Sequence, residues 1–191
     1  VYVDWISKLE RKFGRYAITN LTLLFIGSNA LGYLLMYTTP ALLAYLTLEP
    51  GLILRGQVWR LITWIVIPSG GNVLAVIIML FFYYSIGTSM ERTWGTFRYN
   101  LYLFSGILFT VIGAFILYFI FGGGYGYGWY FSSYYLCLSI FLAFAASYPD
   151  MEVLLYFVIP LKVKWLAWLD VAYLAYDMIR GGFATRVVII A

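Results

Sequence analysis

Arg55-Gly56-Gln57-Val58-Trp59-Arg60-Leu61-Ile62-Thr63 leads into an apolar stretch at residues 73–89, which closes on Met90-Glu91-Arg92-Thr93-Trp94-Gly95-Thr96-Phe97-Arg98. A polar, aromatic approach thus feeds a hydrophobic helix that ends in a charged, glycine-bearing turn. The surrounding composition fixes the solvent for that helix. The chain is 64% hydrophobic and only 10% charged, with a mean hydropathy of +0.89. A soluble domain carries about 25% charged residues, so this surface is predicted to face lipid, and the chain to be an integral membrane protein.

Working outward, residues 1–15 place Val1, Trp5, Leu9 and Phe13 on one side at i, i+4 spacing, with Lys8, Arg11, Lys12 and Arg15 supplying charge. They predict a short amphipathic helix on the membrane surface rather than a cleavable signal peptide. Predicted spans follow at about 16–38, 73–89, 99–121, 129–147 and 161–179, each near the ~20 residues that a bilayer needs. Residues 183–191 read as the opening of a sixth helix that the chain does not complete. Ser28 and Gly32, with Gly27 and Ala30, give the first span a small-residue patch for a neighbouring helix. Asn20-Leu21-Thr22 has the form of a glycosylation triplet, but it falls at the edge of that span.

Residues 39–71 form a long connection, where about five residues would have sufficed. Its apolar piece 40–48 is too short to cross, so an interfacial or re-entrant segment is expected. Residues 151–160 are likewise too short. With the amino end inside, the inner segments hold Lys8, Arg11, Lys12, Arg15, Arg92, Arg98, Lys162 and Lys164. The outer ones hold Arg55, Arg60, Arg180 and Arg186. This asymmetry predicts a cytoplasmic amino terminus, and a multi-pass protein of the plasma membrane is the expectation.

The layout around Trp59 and Glu91 resembles the rhomboid and derlin superfamily. There a Trp-Arg pair sits in the long first loop, and the second helix ends in a glutamate followed by a tight glycine turn. Trp59, Arg60, Glu91 and Gly95 carry the match. The resemblance implies an all-α, polytopic membrane bundle with a six-helix core, here a surface segment (1–15) followed by one transmembrane domain (16–191). Arg60 would brace the loop through hydrogen bonds, and Glu91 would accept backbone donors from the turn at Gly95.

Active rhomboids cut peptides with a serine on the fourth helix, within Gly-x-Ser-Gly, and a histidine on the sixth. A His-x-x-x-Asn element on the second helix stabilises the oxyanion. Registered on Glu91, that histidine and asparagine fall at Ala75 and Met79, and neither side chain can donate a hydrogen bond. Counting back from Tyr148-Pro149 puts the nucleophile near Ser133, with Ser132 beside it. The flanking glycines are absent from Tyr130-Phe131-Ser132-Ser133-Tyr134-Tyr135, and the chain contains no histidine. A serine hydroxyl without a base is a poor nucleophile, and losing one oxyanion donor costs about 10²–10³ in rate.

Nothing in the sequence suggests a metal, a cofactor or a nucleic acid. Cys137 lies alone in an apolar run and reads as packing. Gly124-Tyr125-Gly126-Tyr127-Gly128 has the outline of a potassium filter but lacks the preceding Thr-Val, so an interface-seeking turn is expected. Asp170 falls mid-way along the fifth span, where a carboxylate is expensive. It is expected either to bond a neighbouring helix or to face a wet cavity.

The leading expectation is a non-catalytic rhomboid-like protein, a pseudoprotease, whose partners are the bilayer and transmembrane segments of client proteins. Its contact face would be the fourth helix around residues 132–139, and its role membrane-protein folding, trafficking or quality control. The alternative is a divergent rhomboid serine endopeptidase using Ser133 or Ser132, its histidine lying past Ala191. A small transporter built around Asp170 is the third reading, without an inverted repeat to support it.

Overall fold

The computed structural model describes residues 4–67, 73–121, 131, 133–155, 159–180 and 189. Surface helix α1 (Asp4–Phe13) ends in a 3₁₀ turn at Gly14–Tyr16, and the chain then rises through α2 (Leu21–Thr38). Three short helices follow, α3 (Pro40–Leu46), α4 (Pro50–Ile53) and α5 (Arg60–Thr63), with a 3₁₀ turn at Trp64–Val66. The long helices α6 (Val73–Trp94), α7 (Thr96–Ile120) and α8 (Ser133–Ser147) build the bundle. An antiparallel hairpin, β1 (Glu152–Leu155) with β2 (Ile159–Lys162), then leads into α9 (Val163–Arg180).

Among the described residues, a helix lies within each of the five stretches read as spans. α2 and α7 are each long and apolar enough to cross a bilayer unaided. The boundaries move for physical reasons. α6 continues past residue 89 to Trp94, because Arg92 and Thr93 lie one turn beyond the apolar segment and extend it into the polar layer. Residues 152–155 and 159–162 pair as strands, so Lys162 ends β2 instead of opening the fifth span. Lys164 Nζ donates to Asp150 Oδ1 at 3.3 Å, and Lys162 Nζ lies 3.6 Å from the same atom. The hydrogen bond from Lys164, then the charges of both lysines, hold the Asp150 carboxyl below its ordinary range. The expected opening of a sixth helix at 183–191 and the Gly-Tyr-Gly turn at 124–128 lie outside the described residues, apart from helical residue 189.

The outer surface is apolar where a soluble protein would be polar. Leu23, Leu24, Leu31 and Leu34 on α2, and Phe104, Leu108, Phe109 and Phe119 on α7, are all exposed. Such a belt is stable only against hydrocarbon.

Inside, the helices approach through small and polar residues. α2 buries Thr22, Phe25, Asn29, Gly32 and Tyr33. Of the expected small patch, Gly32 therefore faces the bundle, while Gly27 and Ala30 do not. A close approach lies at Gly87 of α6. A Cβ there would lie 2.5 Å from Thr22 Cγ2 and 2.8 Å from Tyr99 Oη. Thr22 Oγ1 donates to Tyr99 Oη at 3.0 Å over that gap, tying α2 to α7 across the face of α6.

The start of α2 is clamped by two side chains. Asn100 on α7 accepts from the Ile18 N–H (3.0 Å) and donates to the Ile18 carbonyl (2.9 Å). Glu91 Oε1 accepts from the N–H of Asn20 (3.0 Å), which holds a positive φ of 56°. Glu91 was expected to take donors from the turn at Gly95. The Gly95 N–H goes instead to the main-chain carbonyl of Glu91 as the last helical bond, which leaves the carboxylate free to reach across to α2. Gly95 itself has φ 84°, a conformation that a side chain would strain.

Gly87→Ala should lower stability by about 1–3 kcal/mol through overpacking, read as a drop in thermal midpoint in detergent. Thr22→Ala removes two of the three crowding atoms and should recover part of that loss. Additive losses in the double variant would count against the contact.

Candidate functional site

Two features meet in the upper half of the bundle, a buried polar knot and an open apolar cleft. The knot begins with Arg60 at the start of α5. Arg60 is 2% exposed, and its Nε and Nη1 both find acceptors. Nε donates to Gln57 Oε1 at 2.7 Å. Nη1 donates to the carbonyls of Ala44 (3.0 Å) and Thr47 (2.9 Å) and to Thr47 Oγ1 (3.0 Å). Burial draws the guanidinium pKa down, and the charge of Glu49, itself buried, works against that. The guanidinium stays protonated and collects carbonyls that α3 and the loop after it cannot satisfy within a helix. Trp59, its neighbour, is half exposed and sits at the rim.

Braced in this way, the loop sends Trp64 and Ile67 down among the helices, where Trp64 is fully buried. Ile67 ends beside Ser133, the first residue of α8. Ser133 is fully buried, and its Oγ lies 2.7 Å from Asn29 Oδ1 and 3.0 Å from the Ile67 carbonyl. Asn29 Nδ2 in turn donates to the Phe25 carbonyl at 3.0 Å. One hydroxyl therefore joins the first long helix, the end of the loop and the fourth. Both acceptors are amide oxygens, which take a hydrogen bond and do not take the proton.

The remaining sequence-predicted positions are scattered around this knot. Ala75 and Met79 lie in the first two turns of α6; the side chain of Ala75 and the whole of Ser132 lie outside the described residues. Ser139 is occupied by its neighbours, since Tyr102 Oη bonds both its carbonyl (2.9 Å) and its Oγ (3.0 Å). The α8 face from 133 to 139, expected to be open to a partner, is thus filled by α2, α7 and the loop. Its small residues let those elements pack close, which closes the face. Cys137 is buried there. Asp170 is partly exposed on α9 and bonds no neighbouring helix among the described residues; its charge is within electrostatic range of the phenols of Tyr83 and Tyr134.

Asn29 was missed in the sequence. The signal was present, because an amide in the middle of an apolar run calls for a partner in the same way as Asp170.

Beside the knot lies the cleft, with a volume of about 430 Å³. Leu24, Phe25 and Ser28 of α2 form one wall, and Leu103, Phe104 and Ile107 of α7 the other. Leu136 lies at its back, and Ile62, Thr63, Ile65 and Val66 of the braced loop cover one end. Leu24 and Phe104 are exposed at its lips, so it opens sideways, toward lipid. Ser28 and Thr63 are the only lining residues with polar side chains. Each spends its proton on a main-chain carbonyl, of Phe25 and Leu46, and keeps an acceptor.

A family model described as "Eukaryotic integral membrane protein (DUF1751)" matches residues 18–190. No curated protein and no solved structure matches the chain.

The knot predicts coupling. Ser133→Ala and Asn29→Ala should each destabilise the fold by about 1–3 kcal/mol, since each leaves a buried partner unsatisfied. The double variant should cost clearly less than the sum, by roughly 0.5 kcal/mol or more. Thermal melts of the four proteins in one detergent measure this, and strict additivity would break the assignment.

Proposed function

The chain belongs to the DUF1751 family of eukaryotic integral membrane proteins, and from that premise we propose that it is a non-catalytic, rhomboid-like membrane protein that holds transmembrane segments of other proteins in the cleft between α2 and α7. The observation that carries the reading is the state of Ser133. At the position that the sequence resemblance would give the rhomboid nucleophile, it is fully buried and directs its hydroxyl at Asn29 and Ile67. A hydroxyl bonded to two amide oxygens has no group to remove its proton. Ala75 and Met79 provide no side-chain donor for an oxyanion.

The cleft supports the binding half. It opens into the lipid layer, is apolar along both walls, and offers acceptors at Ser28 and Thr63. A client helix carrying a polar side chain is badly matched to hydrocarbon, and a single acceptor there is worth about 1 kcal/mol to it. Folding, trafficking or quality control of membrane proteins are the roles such a site would serve. With the amino terminus in the cytoplasm, the loop that covers the cleft would lie on the outer side.

A photo-crosslinking side chain at Leu24 or Phe104 should capture a single-span reporter with a serine or asparagine at mid-span. The same group at Ile179 should not. Ile107→Trp, which fills the cleft, should abolish capture without lowering the thermal midpoint. A fluorophosphonate probe should leave the full-length protein unlabelled. Labelling of Ser133 would sink the non-catalytic reading, and equal capture at Ile179 would sink the cleft.

A further inference from the structure

A second and larger cleft, about 630 Å³, lies at the opposite end of the bundle from the Arg60 loop. It is bounded by Ile6 of α1, by Thr93 and Trp94 at the end of α6, and by Arg98, Leu101, Tyr102, Ser105 and Phe109 of α7. Its chemistry is graded. Arg98 stands at the end beside α1, and Leu101 and Phe109 line it farther along. Trp94 and Tyr102 form a rigid wall between them, edge to face at 5.5 Å.

Three observations point to one kind of occupant. First, the dimensions fit. Arg98 and Phe109 are on the same helix, about 16 Å apart at ~1.5 Å per residue. That is the depth of one leaflet, half of a hydrocarbon core of about 30 Å. Second, the charge is placed where a headgroup sits. Arg98 meets α1, which carries Lys8, Arg11 and Lys12, and an aromatic residue such as Trp94 belongs at the same level. Third, Arg98 is only partly used. Its Nε reaches Glu10 Oε2 at 3.4 Å, both side chains being well exposed, so the pair is weak. Among the described residues both Nη groups are without a bond, and they present the planar fork that suits a phosphate. Among the described side chains, Glu10 is the acidic group that pairs with Arg98; it engages Nε and leaves the fork open.

We propose that this cleft binds a single phospholipid with an anionic headgroup, its phosphate on the Nη groups of Arg98 and an acyl chain along Leu101 and Phe109. α1 would close over the headgroup through Ile6. The bound lipid would join α1 to the α6–α7 turn, an attachment that Glu10 and Arg98 alone hold loosely. This site is separate from the α2–α7 cleft and does not depend on its occupant.

The full-length protein, reconstituted in phosphatidylcholine vesicles with phosphatidylserine as a minor component, can be extracted and examined by native mass spectrometry. Retained phosphatidylserine should exceed its share of the vesicle. Arg98→Gln should reduce retention about tenfold, the effect of one charge-assisted bond. Glu10→Gln should leave retention unchanged or raise it, and Arg11→Gln should reduce it less than Arg98→Gln does. Leu101→Trp, which fills the tail slot while sparing every charge, should reduce it as well, and serves if Arg98→Gln folds poorly. Retention of phosphatidylcholine in proportion to its share would overturn the proposal. So would an equal loss in Glu10→Gln and Arg98→Gln, because the ion pair alone would then account for the effect.

Discussion

A hydrogen-bonding group in the middle of a lipid-embedded bundle must find its partner within the protein, because hydrocarbon offers none. That constraint governs this structure. Among the described residues no buried side-chain nitrogen or oxygen is left without a partner. The partners are economical, so that a few side chains satisfy many groups at once. The Ser133 hydroxyl stands between Asn29 and Ile67 and thereby fixes the level at which α2, the loop and α8 meet. Remove that point and the loop loses its only described side-chain bond to α8.

Arg60 solves the same problem where the chain is least regular. The segment from Pro40 to Val66 is broken into short helices by Pro40, Pro50 and Gly56, and each break frees carbonyls that a long helix would have used internally. A lysine could reach one or two of them. The guanidinium reaches Ala44, Thr47 and Gln57 together because its donors diverge in a plane. Its desolvation is costly, and the arrangement is stable only because those acceptors surround it. The rigidity gained here passes to Trp64 and Ile67, and from Ile67 to Ser133.

Much of the frame was legible because it depends on patterns that lipid enforces. Apolar runs of about 20 residues gave the positions of α2, α6, α7 and α9, and the break at Gly95 separated α6 from α7. Contacts between distant residues were not legible. Glu91 looked toward Gly95 because that turn is its neighbour in sequence; only the folded chain brings Asn20 within reach. The pairing of residues 152–155 with 159–162 was hidden because a short apolar run reads equally as strand or helix. The packing of the α8 face was not legible because small residues signal close approach without naming which surface approaches. Asn29 was overlooked beside Asp170 because an amide carries no charge, although an amide in hydrocarbon is just as much in need of a partner.

Under the rhomboid-like reading proposed above, the state of Ser133 would show how a fold can keep its form when its chemistry is different. A nucleophilic serine needs a base that accepts its proton and an uncrowded approach for the substrate. A structural serine needs only an acceptor, and is better fully buried. Asn29 provides the acceptor from α2, and Ile67 closes the approach from the loop. Both come from elements that Arg60 and Thr22 hold in place for reasons of packing. Under the reading proposed here, the loss of a base from the bundle leaves the hydroxyl useful, because the bond it makes to an amide contributes to stability without any proton transfer. The lateral cleft between α2 and α7 is then an open surface where the bundle meets lipid and where recognition by shape and a single acceptor requires no catalytic group.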